Sequence, residues 1–231
     1  MSEDLPDVTP DTRSRLMEAA LLVFAEKGYD GAGIREIADR AKANSAMVQY
    51  HFGGKEGLYQ ESLRYAFERG QHQIDRLPKP PVPTDPCARI EAIKCLRLFI
   101  LNFLNVTIVC FGSGQHLPVD VERAAMTLWG REMQQPRPSM EAFILESIRP
   151  FAEYLDGCVM ALRPDLDTES RYRMGMSIQA QILFLHKHME VIRLTRGAAY
   201  GLEDVDSLTD HLTQFSLRGL GVPEAFPIQG A

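Results

Sequence analysis

Residues 33–59 read GIREIADRAKANSAMVQYHFGGKEGLY, and the way this run folds decides the rest of the chain. Ile34, Ile37, Ala38 and Ala41 recur at spacings of three and four, which gives a short helix one buried face while Arg35, Glu36, Asp39 and Arg40 stay in water. Lys42-Ala43-Asn44 breaks that period. Asn44 carries a side-chain oxygen able to accept from the free amides at the start of a second helix. Two short helices joined by three or four residues form a helix-turn-helix, whose second helix enters the major groove and shows its N-terminal half to base edges. The side chains so placed are Ser45, Ala46, Gln49 and Tyr50. Periodicity alone leaves a second reading open, because amphipathic helix pairs joined by short turns occur in many all-α proteins.

The run from Ile37 to Tyr59 resembles the DNA-binding domain of TetR-type repressors in its order: helix, Ala, tight turn, short helix, Tyr-His-Phe, then Gly, Lys and Glu. Asn44, Tyr50-His51-Phe52 and Gly53-Gly54-Lys55-Glu56 are most similar to the CecR branch of that family. The similarity continues more faintly at Trp129-Gly130-Arg131-Glu132-Met133, Ile148-Arg149-Pro150 and Gln179 to His188. The resemblance implies an all-α fold, with an N-terminal three-helix, helix-turn-helix DNA-binding domain and a larger helical domain for ligand binding and dimerisation. It implies DNA contacts from Arg35, Asn44, Ser45, Ala46, Gln49, Tyr50, His51 and Lys55, the last on the phosphate backbone. The implied partners are a double-stranded DNA operator, a second copy of the chain in a homodimer, and a small-molecule inducer of unknown identity. Family habit makes the output repression. Three residues depart from the pattern. Lys42 stands where members usually carry Gly, which is costly if the turn needs positive φ. Ala32-Gly33 offers no hydroxyl before the first helix, where many members have Thr or Ser. Gln49 stands where Tyr is common, which changes the expected operator sequence.

The chain has 231 residues, 45% of them hydrophobic and 24% charged, the composition of an ordinary globular protein with room for a sizeable core. Its net charge of −6 argues against indiscriminate nucleic-acid binding, yet residues 11–70 balance nine basic against nine acidic side chains. Local excess falls between Gly33 and Lys55, where Arg35, Arg40, Lys42 and Lys55 stand against Glu36 and Asp39. Four cysteines without CxxC spacing, and no leader sequence, point to free thiols in the cytoplasm and to no metal site. Leu98 to Val119 lacks charge, but Asn102, Asn105, Gly112, Gly114, Gln115, His116 and Pro118 interrupt it. That pattern reads as a buried helix and a loop, and no membrane partner is expected. Ser/His/Asp and Cys/His arrangements, paired carboxylates in a motif and Gly-rich phosphate loops are all missing from the sequence, so neither an enzyme nor a cofactor is expected.

Along the chain, residues 1–10 are acidic and aperiodic and read as a disordered arm. Residues 11–76 form the helix-turn-helix domain: a scaffold helix with the stripe Leu16, Ala20, Val23, Phe24 and Lys27 stopped by Gly28, then the motif, then a connecting helix from Lys55 that packs Leu58, Leu63, Ala66 and Phe67 inward. Residues 77–86, LPKPPVPTDP, hold five prolines and mark a boundary. Residues 87–222 form the helical ligand-binding and dimerisation domain, with a nearly all-round apolar helix from Cys87 to Phe111, a helix opened by Pro118, and a segment from Ser139 that Pro150 kinks or divides. Residues 223–231 are a tail.

A single recognition helix reads only a few base pairs, so a dimer is expected on physical grounds as well. The stripes Met174, Ile178, Ile182, Leu185, Met189 and Leu208, Leu212, Phe215, Leu220 are the candidate contact between subunits, with the protomer's own core as the alternative. For an inducer pocket the aromatic and sulfur-bearing positions are Phe99, Phe103, Trp129, Met133, Phe143, Phe151, Tyr154 and Phe184. Arg131, Glu132 and His188 are the polar groups that such a pocket would use to orient a ligand. The rival to a DNA-binding regulator is a TetR-like helical sensor or interaction module without operator binding, which Lys42 and the missing hydroxyl favour.

Overall fold

A computed structural model describes residues 11–71, 74–84, 87–105, 118–197, 200 and 205–222. The expected arm 1–10, the tail 223–231, the side chains of Ala66 and Phe67, and Phe111 lie outside the described residues. Every regular element among the described residues is helical: α1 (Thr12–Gly31), α2 (Ile34–Arg40), α3 (Ala46–Phe52), α4 (Lys55–Gln71), α5 (Ala88–Leu104), α6 (Val119–Gln134), α7 (Glu141–Leu162), α8 (Thr168–Arg196) and α9 (Val205–Gly219). None of these helices is long and apolar enough to cross a membrane.

The helices pack as two units, one of residues 1–70 and 116–144, the other of residues 71–115 and 145–231. In the first, α1 opens on Asp11, whose carboxylate accepts from the Ser14 amide at 2.7 Å. Leu16, Ala20, Val23 and Phe24 are fully buried, as their spacing requires. Lys27 leaves that stripe and pairs with Glu36 at 2.6 Å, while Arg40 pairs with Glu26 at 2.8 Å. These pairs link α1 to α2 at the surface, where each stabilises by on the order of 0–1 kcal/mol. Gly28, at φ 73°, breaks α1 where the sequence placed its stop.

The division by packing differs from the division along the sequence. The stretch 87–222 reads as one helical domain, but α6 lies along α1 and groups with the N-terminal unit. Val121, Ala124, Ala125 and Leu128 form its buried face, and the small alanines at Ala19, Ala20, Ala124 and Ala125 suit a close helix pair. Spacing names the buried face of a helix and leaves its partner unstated.

In the second unit, Ala92, Leu96, Phe99 and Ile100 of α5 meet Leu155 and Val159 of α7, Ile178, Ile182 and Met189 of α8, and Leu212 of α9. Arg97 ties α5 to α9 through Asp210 at 2.7 Å, and Arg171 ties α8 to Asp156 of α7 at 2.8 Å. Pro150 does not divide α7, which runs unbroken from Glu141 to Leu162. A proline removes one backbone bond, and intact turns on both sides carry the helix across. The stripe Ile178, Ile182, Met189 faces the protomer's own core, with Met174 and Leu185 packed against it, so these residues are core and not the expected contact between subunits. Leu212 of α9 and Leu220 just after it are buried in the same core, and Phe215 of α9 is exposed.

Candidate nucleic-acid interface

Residues 41–45 link α2 to α3. Lys42 sits at φ 52°, the left-handed region that the usual glycine would occupy without strain. A side chain there costs about 1–2 kcal/mol, and the turn forms nonetheless because Ala41 is buried beneath it and the Ala43 amide donates to the Ala38 carbonyl at 2.9 Å. Asn44 caps α3 as its chemistry suggests: Oδ1 accepts from the Ala46 amide at 2.9 Å, and its carbonyl accepts from the Met47 amide at 2.9 Å. Ser45, the residue directly before the helix, makes no side-chain cap.

Val48 and Phe52 bury one side of α3. Asn44, Ser45, Ala46, Gln49 and Tyr50 are exposed, and Tyr50 at 79% exposure is a large aromatic with almost no packing role. This is the arrangement that base reading needs: a helix held by two apolar anchors, with side chains of mixed chemistry presented to the outside. His51 differs. It is half-buried between the rings of Tyr50 and Phe52, with Nε2 buried and unpartnered among the described residues.

Three cations flank α3. Arg35 is exposed in the first turn of α2, Lys42 is exposed in the turn, and Lys55 starts α4. Among the described residues none of the three sits in an ion pair with a carboxylate. Lys55 Nζ lies 4.6 Å from the Tyr29 ring centroid and 3.4 Å from the Asp30 carbonyl, contacts that aim the ammonium without neutralising it. Gly33 precedes α2 at φ −98° with no side-chain cap, so no hydroxyl is available there for a phosphate.

Two features of this site are invisible in the spacing. Gly57, in the first turns of α4, stands so close to α3 that a Cβ there would lie 1.9 Å from the Phe52 carbonyl oxygen. Beside it, the Glu56 carboxylate accepts from Ser139 and Tyr29 and lies near Arg137, which together hold it below the usual carboxylate range. Burial, and then the bond to Glu56, push the Tyr29 hydroxyl up to about 12.

The eight wall residues named for an inducer pocket, together with His188, separate into groups. Phe99, Phe103, Phe151 and Tyr154 join in one aromatic cluster of the second unit, with ring centroids 5.8–6.1 Å apart. Tyr154 donates its hydroxyl to the Pro78 carbonyl at 2.9 Å. Trp129 and Phe143 meet edge to face in the first unit, and Met133 is exposed there. The rings of Phe184 and His188 lie 4.5 Å apart on α8, tilted at 41°, with Phe184 exposed. Residue type marks aromatics without fixing the face each one takes.

Comparison with known proteins agrees with this geometry. Residues 16–62 match the family model for bacterial regulatory proteins of the tetR family. Residues 118–220 match that for the C-terminal domain of the HTH-type transcriptional dual regulator CecR. Over 56 residues, 24% of the chain, the sequence is 38% identical to the HTH-type transcriptional repressor NicS of Pseudomonas putida. It is 32% identical over 56 residues to the negative regulator of the biofilm operon icaADBC, IcaR, of Staphylococcus aureus. The matches span 26% and 30% of the length of those two relatives. The fold is shared with a transcriptional regulator from Rhodococcus sp. Rha1, at TM-score 0.59 and 18% identity over 90% of this chain and 96% of that one. It is shared also with the hemolysin II transcriptional regulator HlyIIR, at TM-score 0.56 and 21% identity over 88% of this chain and 96% of that one. By its helix-turn-helix motif, its all-α fold and the family models matched at both ends, the chain is similar to the TetR family of bacterial regulators.

Proposed function

We propose that this chain is a cytoplasmic, ligand-responsive repressor that binds a palindromic DNA operator as a homodimer and is released by a small-molecule inducer. The observation that carries the DNA half is the outward face of α3, Ser45, Ala46, Gln49 and Tyr50, set between three cations that lack carboxylate partners among the described residues. Gln49 and Tyr50 read bases, and Lys55 with Arg35 holds phosphates.

The dimer half rests on α8. Tyr172, Met176, Leu183 and Leu194 are exposed and fall within about 40° of one another around a helix of 3.6 residues per turn. Phe184 and Val191 widen the stripe, and Phe215 adds an exposed aromatic on α9. The opposite side of α8 is the buried row Ile178, Ile182 and Met189, so this helix is apolar on two faces and the protomer covers one. An exposed apolar stripe of this kind, with Lys187 and Glu190 falling within it, marks an interface, and a second copy meets it with the same surface across a two-fold axis. Two recognition helices then enter successive major grooves about 34–36 Å apart. An inducer acts by binding more tightly to a conformation in which that spacing is lost.

Lys55→Ala is the first test. Fluorescence anisotropy with the DNA upstream of the gene should show affinity reduced about tenfold for all bound sequences alike, with a salt slope lower by about one per protomer. Run across a metabolite and drug library, the same assay should find a compound that releases the DNA. Binding that ignores salt would support the reading as a sensor without an operator, and release by no compound would remove the induction step.

A further inference from the structure

The first unit holds a cavity of about 350 Å³ that no part of the proposed DNA contact uses. Its lining includes Tyr29, Tyr59, Leu128, Glu132 and Arg137, and it opens beside the break in α1 at Gly28. The Tyr29 and Tyr59 rings stand at 80° with centroids 5.1 Å apart, two walls of a corner. Glu132 closes the corner from behind, only 3% exposed, taking a bond from the Tyr59 hydroxyl and another from the Arg137 amide at 3.1 Å. Burial and the Glu132 carboxylate raise the Tyr59 hydroxyl well above its ordinary range, so it remains a proton donor to Glu132.

The Arg137 guanidinium occupies this corner, 3.7 Å from the Tyr29 centroid and 5.5 Å from that of Tyr59. Its hold is loose: Nη2 reaches Glu56 only at 3.9 Å, and Nε is buried without a hydrogen-bond partner among the described residues. Two perpendicular aromatic walls with a buried carboxylate behind them form a cage for a delocalised cation. The side chain found there is a cation with an unfilled donor, at the edge of a space large enough for a small molecule.

We infer that this cage is a ligand site for planar organic cations, amidinium or guanidinium compounds, which enter by displacing Arg137. The bound cation stacks on Tyr29, meets Tyr59 at its edge and feels Glu132 behind it. The body of the ligand fills the cavity against Leu128. An anion of the same shape meets the buried Glu132 carboxylate and is rejected. The inference goes beyond the proposed regulation and does not depend on it, although the Tyr29 ring that carries Arg137 also carries Lys55 Nζ at 4.6 Å.

Calorimetric titration of the full chain with benzamidine, benzamide and benzoate tests it without any DNA. Benzamidine should bind, with benzamide and benzoate at least about tenfold weaker. Because Arg137 competes for the cage, an occupancy near nine-tenths lowers apparent affinity about tenfold, and Arg137→Ala should restore that factor for benzamidine alone. Tyr29→Leu should abolish the preference for benzamidine over benzamide, whereas Tyr29→Phe, which keeps the ring, should retain it. Circular dichroism of each variant establishes that it is folded. Equal binding of the three compounds, a preference for benzoate, or unchanged benzamidine affinity in Arg137→Ala would overturn the inference.

Discussion

Gly57→Ala should lower the stability of the N-terminal unit by about 3 kcal/mol and abolish operator binding, a loss at the upper end of ordinary overpacking. Position 57 is inside a helix, where replacing Gly by Ala normally stabilises by about 1 kcal/mol, so the sign of the change separates the two accounts. The added methyl would stand 1.9 Å from the Phe52 carbonyl oxygen and 3.0 Å from its carbonyl carbon. These are backbone atoms and cannot rotate aside. Either α4 moves off α3 or the last turn of α3 unwinds, and both displace the Gln49–Tyr50 face from the cations that flank it. Urea melts with gel shifts read the outcome. A raised midpoint with full DNA binding would show that the approach between the two helices is not close.

Paired charges on the exposed row of α8, Leu183→Glu with Leu194→Glu, should leave each protomer folded and convert the proposed dimer to monomers. Both side chains are exposed in the isolated protomer, so neither replacement buries a charge there. In the dimer both would be desolvated against an apolar neighbour, which a stable association does not tolerate. With the second recognition helix no longer delivered by the first, affinity for the full operator should fall by about 10²–10⁴, and affinity for an isolated half-site should hold. Sedimentation velocity and anisotropy on the two DNA lengths measure this. A sedimentation coefficient unchanged from the parent would place the contact elsewhere.

The helix-turn-helix was legible because its determinants are local. Apolar spacing at Ile37, Ala38 and Ala41, a cap at Asn44 and exposed polar residues at Ser45 and Gln49 all follow from chain geometry over a few turns. The strain at Lys42 followed as well, since a turn that favours glycine there demands positive φ. What the sequence could not supply was the identity of partners. The row Ile178, Ile182, Met189 has the right period for either a subunit contact or a core, and it is core. The exposed row Tyr172, Met176, Leu183, Leu194 on the same helix went unread because an apolar residue on each side blurs the amphipathic signal. The period of α6 marked its buried face without showing that this face packs on α1. Gly57 carried no pattern at all, since a glycine needed for close approach looks like any other in a sequence. The cage has the same character: Glu132 and Arg131 stood out as polar among apolar neighbours, whereas Tyr29, Tyr59 and Arg137 are brought together only by the fold.

Selection of bound sites from random duplex DNA, by the parent chain and by Gln49→Ala, tests the central claim most directly. The expected result is a two-fold symmetric motif with half-sites one helical turn, or a multiple of it, apart. With Gln49→Ala, discrimination should relax by about 1–3 kcal/mol at one or two base pairs in each half-site and persist at the others. An identical motif from both proteins, or no enriched sequence from either, would contradict the assignment of the outward face of α3 as the surface that reads DNA.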